Sequence, residues 1–252
     1  MHQREKSKLG KGIDSFHEGI TMEKKIFGLL VASVMLFSGA AMAQTANMVY
    51  IDQIGNNSTI DVTQNGSNNV VGNETTKTTL WGNNQTVTIN QVGSNNVTAV
   101  NMQGASASLT SNVDGSLNSV TVNCGNGASG NNGACTDSVL VSNIAGDSNT
   151  LSTTTGSKSQ STISLIGDSN TATILTNVDK LVGSKASIVA VGDSNTLSIN
   201  QAGTAGSSGH DGAMDITGSS NTVSIIQTGT VDTTVNVKSL GSNNTITVHS
   251  GN

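Results

Sequence analysis

Two cysteines are the residues of this chain best placed for covalent chemistry. Cys124 and Cys135 enclose the segment Gly-Asn-Gly-Ala-Ser-Gly-Asn-Asn-Gly-Ala, and the chain has no other cysteine. In an exported chain, such a pair predicts a disulfide that closes this loop. The alternative is two free thiols in a mobile loop. Two thiolates alone cannot complete the four-ligand set of a zinc site, and no histidine lies near them in sequence.

The remaining candidates for catalysis or metal binding are isolated. His210 and His249 are the histidines beyond the first 43 residues, and neither has a second ligand at metal-binding spacing. We therefore expect both side chains to be solvated and free of metal. The chain also has no Gly-x-Ser-x-Gly, Walker or His-Glu-x-x-His motif. The sequence thus predicts a protein that is not an enzyme, with no catalytic residues, no cofactor and no metal.

Three aspartates recur in the motif Gly-Asp-Ser-Asn, at Asp147, Asp168 and Asp193. Carboxylates in stacked turns suggest calcium, which takes several oxygen ligands. Other copies of the motif have a serine at the aspartate position, namely Ser67, Ser94, Ser219 and Ser242. Because serine replaces aspartate so freely, we expect a turn-forming Asx role rather than a calcium site.

A short repeat organises most of the chain. Its full form is Gly-x-x-Asn-x-Φ-x-Φ-x-Gln-x-Gly, where Φ is apolar, and it closes on itself every 11 residues. Two copies fit completely: Gly192, Asn195, Leu197, Ile199, Gln201 and Gly203, then Gly218, Asn221, Val223, Ile225, Gln227 and Gly229. Copies at 55–66 and 82–93 have Ser58 or Gln85 in place of the asparagine, and later copies start with Gly146 and Asn149, Gly167 and Asn170, and Gly241 and Asn244. A fixed short period predicts a stacked, repetitive architecture.

All marked positions of the repeat share one parity, and side chains alternate between the two faces of a strand. If Val223 and Ile225 point inward, then Asn221 and Gln227 also point inward. A buried amide without a partner costs about 1–3 kcal/mol, so we expect each amide to bond the identical amide one layer above and below. The sequence therefore predicts an all-β protein, a β-solenoid of about 22-residue coils, each with two strands joined by tight Gly/Asn arcs. Spacings longer than this period should bulge as loops at the arcs, for example at 204–213.

Composition supports this fold and excludes several functions. The chain has no proline, as expected if nearly every backbone N–H joins a ladder. From Gln44 onward it has five Lys, no Arg and twelve Asp plus Glu, a net charge of about −7. Such a chain lacks the positive charge that binding to nucleic acid or an anionic membrane surface requires.

The start of the chain has the pattern of a secretory signal peptide. Residues 22–43 comprise a charged Met-Glu-Lys-Lys start, an apolar run and the small-x-small site Ala-Met-Ala, which predicts cleavage between Ala43 and Gln44. Residues 1–21 are interpreted as a leader extension or a misassigned start. Residues 44–252 then form the repeat domain, with a loop insertion at 124–135 and no later apolar stretch that would span a membrane.

Three segments of the repeat resemble the curlin repeat, Gln-x-Gly-x-x-Asn, of the secreted bacterial proteins that build curli. They are Gln53-Ile54-Gly55-Asn56-Asn57, Gln64-Asn65-Gly66-Ser67-Asn68-Asn69 and Gln91-Val92-Gly93-Ser94-Asn95-Asn96. The resemblance covers most of residues 48–251 and is weak between 105 and 140. It implies export to the extracellular space or cell surface and assembly into functional amyloid fibres with roles in adhesion and biofilm. The implied partners are further copies of the chain stacked end to end, other curli-type subunits and an outer-membrane export pore.

Two other functions remain compatible with the repeat. The first is a monomeric, secreted solenoid whose outward Thr and Ser rows bind ice, a glycan or a cell surface. Such rows occur at Thr86 and Thr88, Thr222 and Ser224, and Thr245 and Thr247. The second is the shaft of a viral tail or spike, which usually trimerises and does not need a signal peptide.

Overall fold

The computed structural model describes residues 32–34, 46–72, 78–125, 135–176, 183–202 and 209–251. Within these ranges the regular elements are all strands, in parallel sheets stacked as a β-solenoid. No helix among the described residues has the length and hydrophobicity of a membrane span. The predicted all-β solenoid is therefore confirmed.

The strands are numbered along the chain. They are β1 (Ala32–Val34), β2 (Met48–Val49), β3 (Ile51–Ile54), β4 (Thr59–Ser67), β5 (Val70–Val71), β6 (Thr78–Trp81), β7 (Thr86–Ser94), β8 (Val97–Ala99), β9 (Asn101–Gln103), β10 (Ser108–Asp114), β11 (Ser119–Thr121), β12 (Val139–Ala145), β13 (Thr150–Thr154), β14 (Gln160–Ile166), β15 (Thr171–Leu175), β16 (Lys185–Val191), β17 (Thr196–Gln201), β18 (Asp211–Thr217), β19 (Thr222–Gln227), β20 (Thr234–Leu240) and β21 (Thr245–Ser250).

Three sheets share these strands. Sheet A runs in the order β1-β4-β7-β10-β12-β14-β16-β18-β20, and sheet B in the order β2-β5-β8-β11-β13-β15-β17-β19-β21. Sheet C, β3-β6-β9, continues the sheet B side of the first three coils. From β2 onward the chain alternates between the sheet B side and sheet A, so each coil places one layer of backbone on the next.

The coils are longer than the sequence predicts. They range from 21 to 31 residues and average about 25, not 22. The extra residues all fall in one half of the coil. The half that runs from a sheet A strand to the next sheet B strand has the same length in every coil, measured from Thr59 to Val70, Thr86 to Val97, Ser108 to Ser119, Val139 to Thr150, Gln160 to Thr171, Lys185 to Thr196, Asp211 to Thr222 and Thr234 to Thr245. We call this the constant half.

The variable half, from a sheet B strand back to sheet A, contains all the variation in the number of residues per coil. It is shortest between Thr150 and Gln160, and it is longest, at twice that length, between Ser119 and Val139. The loop expected at 204–213 lies in this half, but its predicted end is wrong because Asp211–Thr217 is strand β18. Residues 203–208 are outside the described ranges.

The core is a thin stack of aliphatic side chains between the sheets. In β17, Leu197 and Ile199 are at most 1% exposed, and the polar Asn195 and Gln201 are buried with them. Thr196 is exposed. Ser198 and Asn200, also on the outward face, are half-buried. The predicted parity is therefore confirmed, amides included.

Glycine starts the arc of each constant half because the backbone has a positive φ there and, in all coils but the last, a Cβ would collide with the following coil. Gly218 has φ +109°, and a Cβ there would collide with the carbonyl of Gly241 in the following coil. Two residues later, just before the asparagine, the backbone is left-handed in every coil, with φ of 57–61° at Asn68, Asn95, Leu117, Ser148, Ser169, Ser194, Ser220 and Asn243. Gly66, Gly93, Gly146, Gly167, Gly192 and Gly241 repeat the positive φ of Gly218.

A disulfide closes the longest coil. Cys124 and Cys135 are bonded, with their Cα atoms 5.1 Å apart, and both are fully buried in the core. The segment between Gly125 and Cys135 lies outside the described ranges. The bond lets this coil leave and rejoin the stack at neighbouring points, so a long insertion does not open the core.

Leu117 is poorly suited to its position in the arc of the constant half, and replacing it tests how the arc backbone affects stability. It adopts φ +61°, is 61% exposed, and thus combines a left-handed backbone with little burial. Left-handed geometry costs an ordinary residue about 1 kcal/mol, and asparagine tolerates it better. We expect Leu117→Asn to raise the free energy of unfolding by about 0.5–1 kcal/mol, measured by urea denaturation. Leu117→Val should lower it, and an unchanged or reversed order would contradict this account of the arc.

Candidate functional site

A continuous ladder of asparagine side chains runs along the arc of the constant half. Its members are Asn47, Asn69, Asn96, Asn118, Asn149, Asn170, Asn195, Asn221 and Asn244. Those from Asn69 to Asn221 are at most 1% exposed, and Asn244 at the last rung is half-buried. The sequence predicted all of these positions except Asn47 and Asn118, although Gly115-Ser116-Leu117-Asn118 is itself a Gly-x-x-Asn copy.

At every rung the backbone N–H donates to Oδ1 of the preceding asparagine, and most rungs add two bonds from Nδ2. The backbone N–H and the Nδ2 of Asn221 both donate to Oδ1 of Asn195 in the preceding coil, each at 3.0 Å. The same Nδ2 donates forward to the carbonyl of Gly241, also at 3.0 Å. Side chain, arc backbone and neighbouring coils are therefore bonded as one unit. Asn170 is the exception, since its Nδ2 has no partner among the described residues.

A second ladder follows the residue after each arc glycine. Oδ1 of Asp168 accepts the backbone N–H of Asp147 at 2.7 Å, and Oδ1 of Asp193 accepts that of Asp168 at 2.8 Å. Serine does the same where it replaces aspartate, as when Ser242 Oγ accepts the N–H of Ser219 at 3.1 Å. The expected Asx role is thus corrected in one respect: these side chains bind the preceding coil. The described residues contain no cluster of three potential metal ligands.

The glutamines form two separate pairs rather than one row. Gln64 donates to Gln91 at 2.8 Å in sheet A, and Gln201 donates to Gln227 at 2.9 Å in sheet B. Aliphatic or hydroxyl side chains occupy the other coils. Among the described residues, the side chain of Gln53 bonds only the carbonyl of Gly55, at 3.0 Å. Each paired glutamine therefore bonds an identical amide on one side only, and not both above and below as the sequence predicts.

The arc of the variable half has no common side chain. Gln85 bonds the carbonyls of Trp81 and Gly104 there, whereas the coil that contains β18 has His210. His210 is 1% exposed, and its Nδ1 lies 2.9 Å from Thr233 Oγ1. The expectation that His210 is solvated is therefore wrong, because the chain rejoins the stack before it; His249 is exposed as expected.

The outward face of sheet B is a regular array of hydroxyl groups. One column aligns Thr150, Thr171, Thr196, Thr222 and Thr245, and a second aligns Ser152, Thr173, Ser198, Ser224 and Thr247. All residues of the first column are exposed. The sheet B strands from β11 to β21 contain no Asp, Glu, Lys or Arg, whereas sheet A has outward charges such as the Lys238–Asp215 ion pair at 3.0 Å. We call this surface the hydroxyl face.

The last described strands, β20 and β21, form the outermost layer of the solenoid. Among the described residues, nothing pairs with the outer edges of β20 and β21. Ile246 and Val248 are only partly buried, while their register partners Val223 and Ile225 one coil earlier are at most 1% exposed. Asn244 leaves its Oδ1 facing outward along the axis, at the position where each earlier asparagine accepts bonds from the next coil. The end has the chemistry to accept another coil.

Ala43, Gln44 and Gly203 lie outside the described residues, as does most of the loop at 124–135. Gly229 is described and has φ +110°, but it lies in the variable half.

Comparison with protein-family models, curated proteins and solved structures finds no match for this chain.

The asparagine ladder predicts that the inward Asn195 and the outward Asn200 contribute very unequally to the free energy of unfolding. Asn195→Ala removes partners from Asn170, Asn221 and the carbonyl of Gly218, all in a buried row. We expect a loss of about 2–3 kcal/mol in the free energy of unfolding, measured by urea denaturation of fresh monomer. Asn200→Ala, on the outward side of β17, should cost less than about 0.5 kcal/mol. Equal losses would mean that the ladder does not hold the coils together.

Proposed function

We propose that residues 44–252 form a secreted structural protein that assembles end to end into extracellular, curli-like amyloid fibres serving adhesion and biofilm matrix. The observation that carries this proposal is the last described layer, where Ile246 and Val248 remain partly exposed and no described strand pairs with the outer edge of β21. Natural proteins normally block such edges with charge, proline or a covering element. The signal-peptide pattern of residues 22–43 and the resemblance to curlin repeats support export and the choice of partner, another copy of the chain.

The internal structure of the chain also suits a fibre. Parallel strands in register, stacked with identical polar side chains in rows, are the arrangement found in cross-β assemblies. A solenoid of this kind already contains that arrangement within one molecule. Adding a second molecule extends the rows without refolding the first. Other curli-type subunits and an outer-membrane pore belong to the same proposal as partners in nucleation and export.

Fibre formation can be tested with a matched pair of substitutions on the last strand. We expect purified 44–252 to form thioflavin-positive fibres with reflections at about 4.7 and 10 Å. Ile246→Asp places a charge inward on the terminal layer and should reduce the growth rate at least about tenfold. Thr247→Asp, outward on the same strand, should leave it nearly unchanged. A wild-type chain that stays monomeric for days at tens of micromolar would contradict the proposal.

The hydroxyl face favours a second candidate function, binding of ice by a monomeric solenoid. Its columns repeat at about 4.8 Å along the axis and about 7 Å along the strand, without charge. The insertions that disturb the coil period lie in the variable half, so strand register within the face is uninterrupted from β13 to β21. A regular array of this kind suits a crystalline surface better than a single soluble sugar.

Lysine substitutions on the two sheets test ice binding independently of fibre formation. We expect ice recrystallisation inhibition by monomeric 44–252 if the second function holds, and its loss in Thr196→Lys because the lysine breaks the flat hydroxyl column. Thr217→Lys, exposed on sheet A, is the control and should retain inhibition. Wild-type protein without any effect on ice growth would exclude this candidate.

A further inference from the structure

The two sheets of the repeat region contain unequal numbers of strands. Between Asn47 and Ser250, sheet A has eight strands, β4 to β20, while sheet B has nine, β2 to β21. Within the described repeat region, the first and the last half-coils therefore both lie on the sheet B side. Sheet A reaches nine strands only because β1, from residues 32–34, pairs with β4.

This inequality matters when copies of 44–252 stack end to end. The sheet B strand β21 of one copy would pair with β2 and β3 of the next, and the two sheet B stacks would then be continuous. In sheet A, however, β20 of the first copy and β4 of the second would lie two strand spacings apart, roughly 9.6 Å. A simple stack thus leaves a slot one strand wide in sheet A at every junction.

The slot has a defined chemistry. Its walls are the backbone edges of β20, with seven residues, and of β4, with nine. Its inner side is apolar, formed by Val235 and Val237 on one wall and Ile60 and Val62 on the other. An empty slot would leave both backbone edges without partners. A strand of about seven residues, free of proline and apolar at alternate positions, would complete the sheet.

Strand β1 shows that the β4 edge accepts such a segment. Ala32, Ser33 and Val34 pair in parallel with Ile60, Asp61 and Val62. Residues 30–36 read Leu-Val-Ala-Ser-Val-Met-Leu, and the residues that pair with Ile60 and Val62 are the apolar Ala32 and Val34. This segment belongs to the signal-peptide pattern, and cleavage after residue 43 would remove it and open the edge.

We infer that the β4 edge of 44–252 is a binding site for an extended peptide strand of this chemistry, supplied by another polypeptide, and that one such strand at each junction accelerates end-to-end growth. The inference rests on the proposed fibre function for its second half only. Its first half, strand binding, is a property of the single molecule. The partner is a chain that contributes one additional sheet A strand, and the leader strand occupies the same site before cleavage.

Strand binding can be measured on the monomer. The probe is a fluorescent peptide of residues 30–36 flanked by lysines for solubility, titrated into monomeric 44–252 and followed by anisotropy. We expect saturable binding, and at least about tenfold weaker binding of the same peptide with Ser33→Pro, because proline cannot join the ladder. A chain of 22–252, whose own β1 fills the site, should also bind at least about tenfold more weakly. No binding, or equal binding of the two peptides, overturns the inference.

Growth is tested by supplying the strand in cis. A second copy of residues 229–241 is appended after Asn252, which adds one sheet A half-coil to the intact chain and makes the strand numbers equal. We expect elongation at least about tenfold faster than that of 44–252, and no acceleration when the appended copies of Val235 and Val237 are both proline. Equal elongation by the extended and unextended chains overturns the accelerating role of the strand while leaving the fibre proposal intact. Absence of fibres from every chain, together with peptide binding to the monomer, contradicts the fibre proposal and leaves the strand site standing.

Discussion

A buried primary amide needs partners on every side, and in this protein only the neighbouring coils can provide them. An asparagine side chain has two donor hydrogens and an oxygen with two acceptor sites. Asn195 satisfies them with Asn170, Asn221 and the carbonyl of Gly218. Any change in the length of the arc or the strand before it would move one amide out of the row and leave neighbouring coils with unbonded groups. The fixed length of the constant half follows from this requirement, and so does the glycine whose missing Cβ lets consecutive arcs approach.

The opposite arc shows what happens without such a ladder. Its position is filled by serine, glutamine, alanine, histidine or threonine, depending on the coil, so no shared bond fixes its length. Loops of different sizes are tolerated there because inserted residues leave the stack and return at the next core position. The disulfide between Cys124 and Cys135 performs the same task covalently for the longest excursion. One side of the solenoid is thus available for variation while the other holds the register of both sheets.

The sequence was sufficient for those features that depend on local parity. Inward amides, arc glycines and the buried Leu197 and Ile199 all follow from alternation along a strand. Prediction failed where a property depends on which coils are neighbours. The isolated Gln53, the buried His210 and the inter-coil bonds of Asp168 require the actual register, which the variable insertions hide from a fixed frame. Asn118 was missed because its copy lies where the repeat is weakest, with Leu117 in a position that usually has serine or asparagine.

The same reasoning explains why assembly depends on the strand edges of the outermost layers more than on the apolar area that a junction would bury. Completing the burial of Ile246 and Val248 by another copy is worth roughly 1 kcal/mol each, since both are already partly covered. Association of two proteins costs at least about 4 kcal/mol in lost translational and rotational freedom. Apolar contact at the last layer therefore cannot hold a junction alone, so backbone ladders and the asparagine row must continue across it. Because the repeat region begins and ends on the sheet B side, one sheet can continue directly and the other cannot. Assembly strength is then set by strand number, a property that no single residue substitution in the core would reveal.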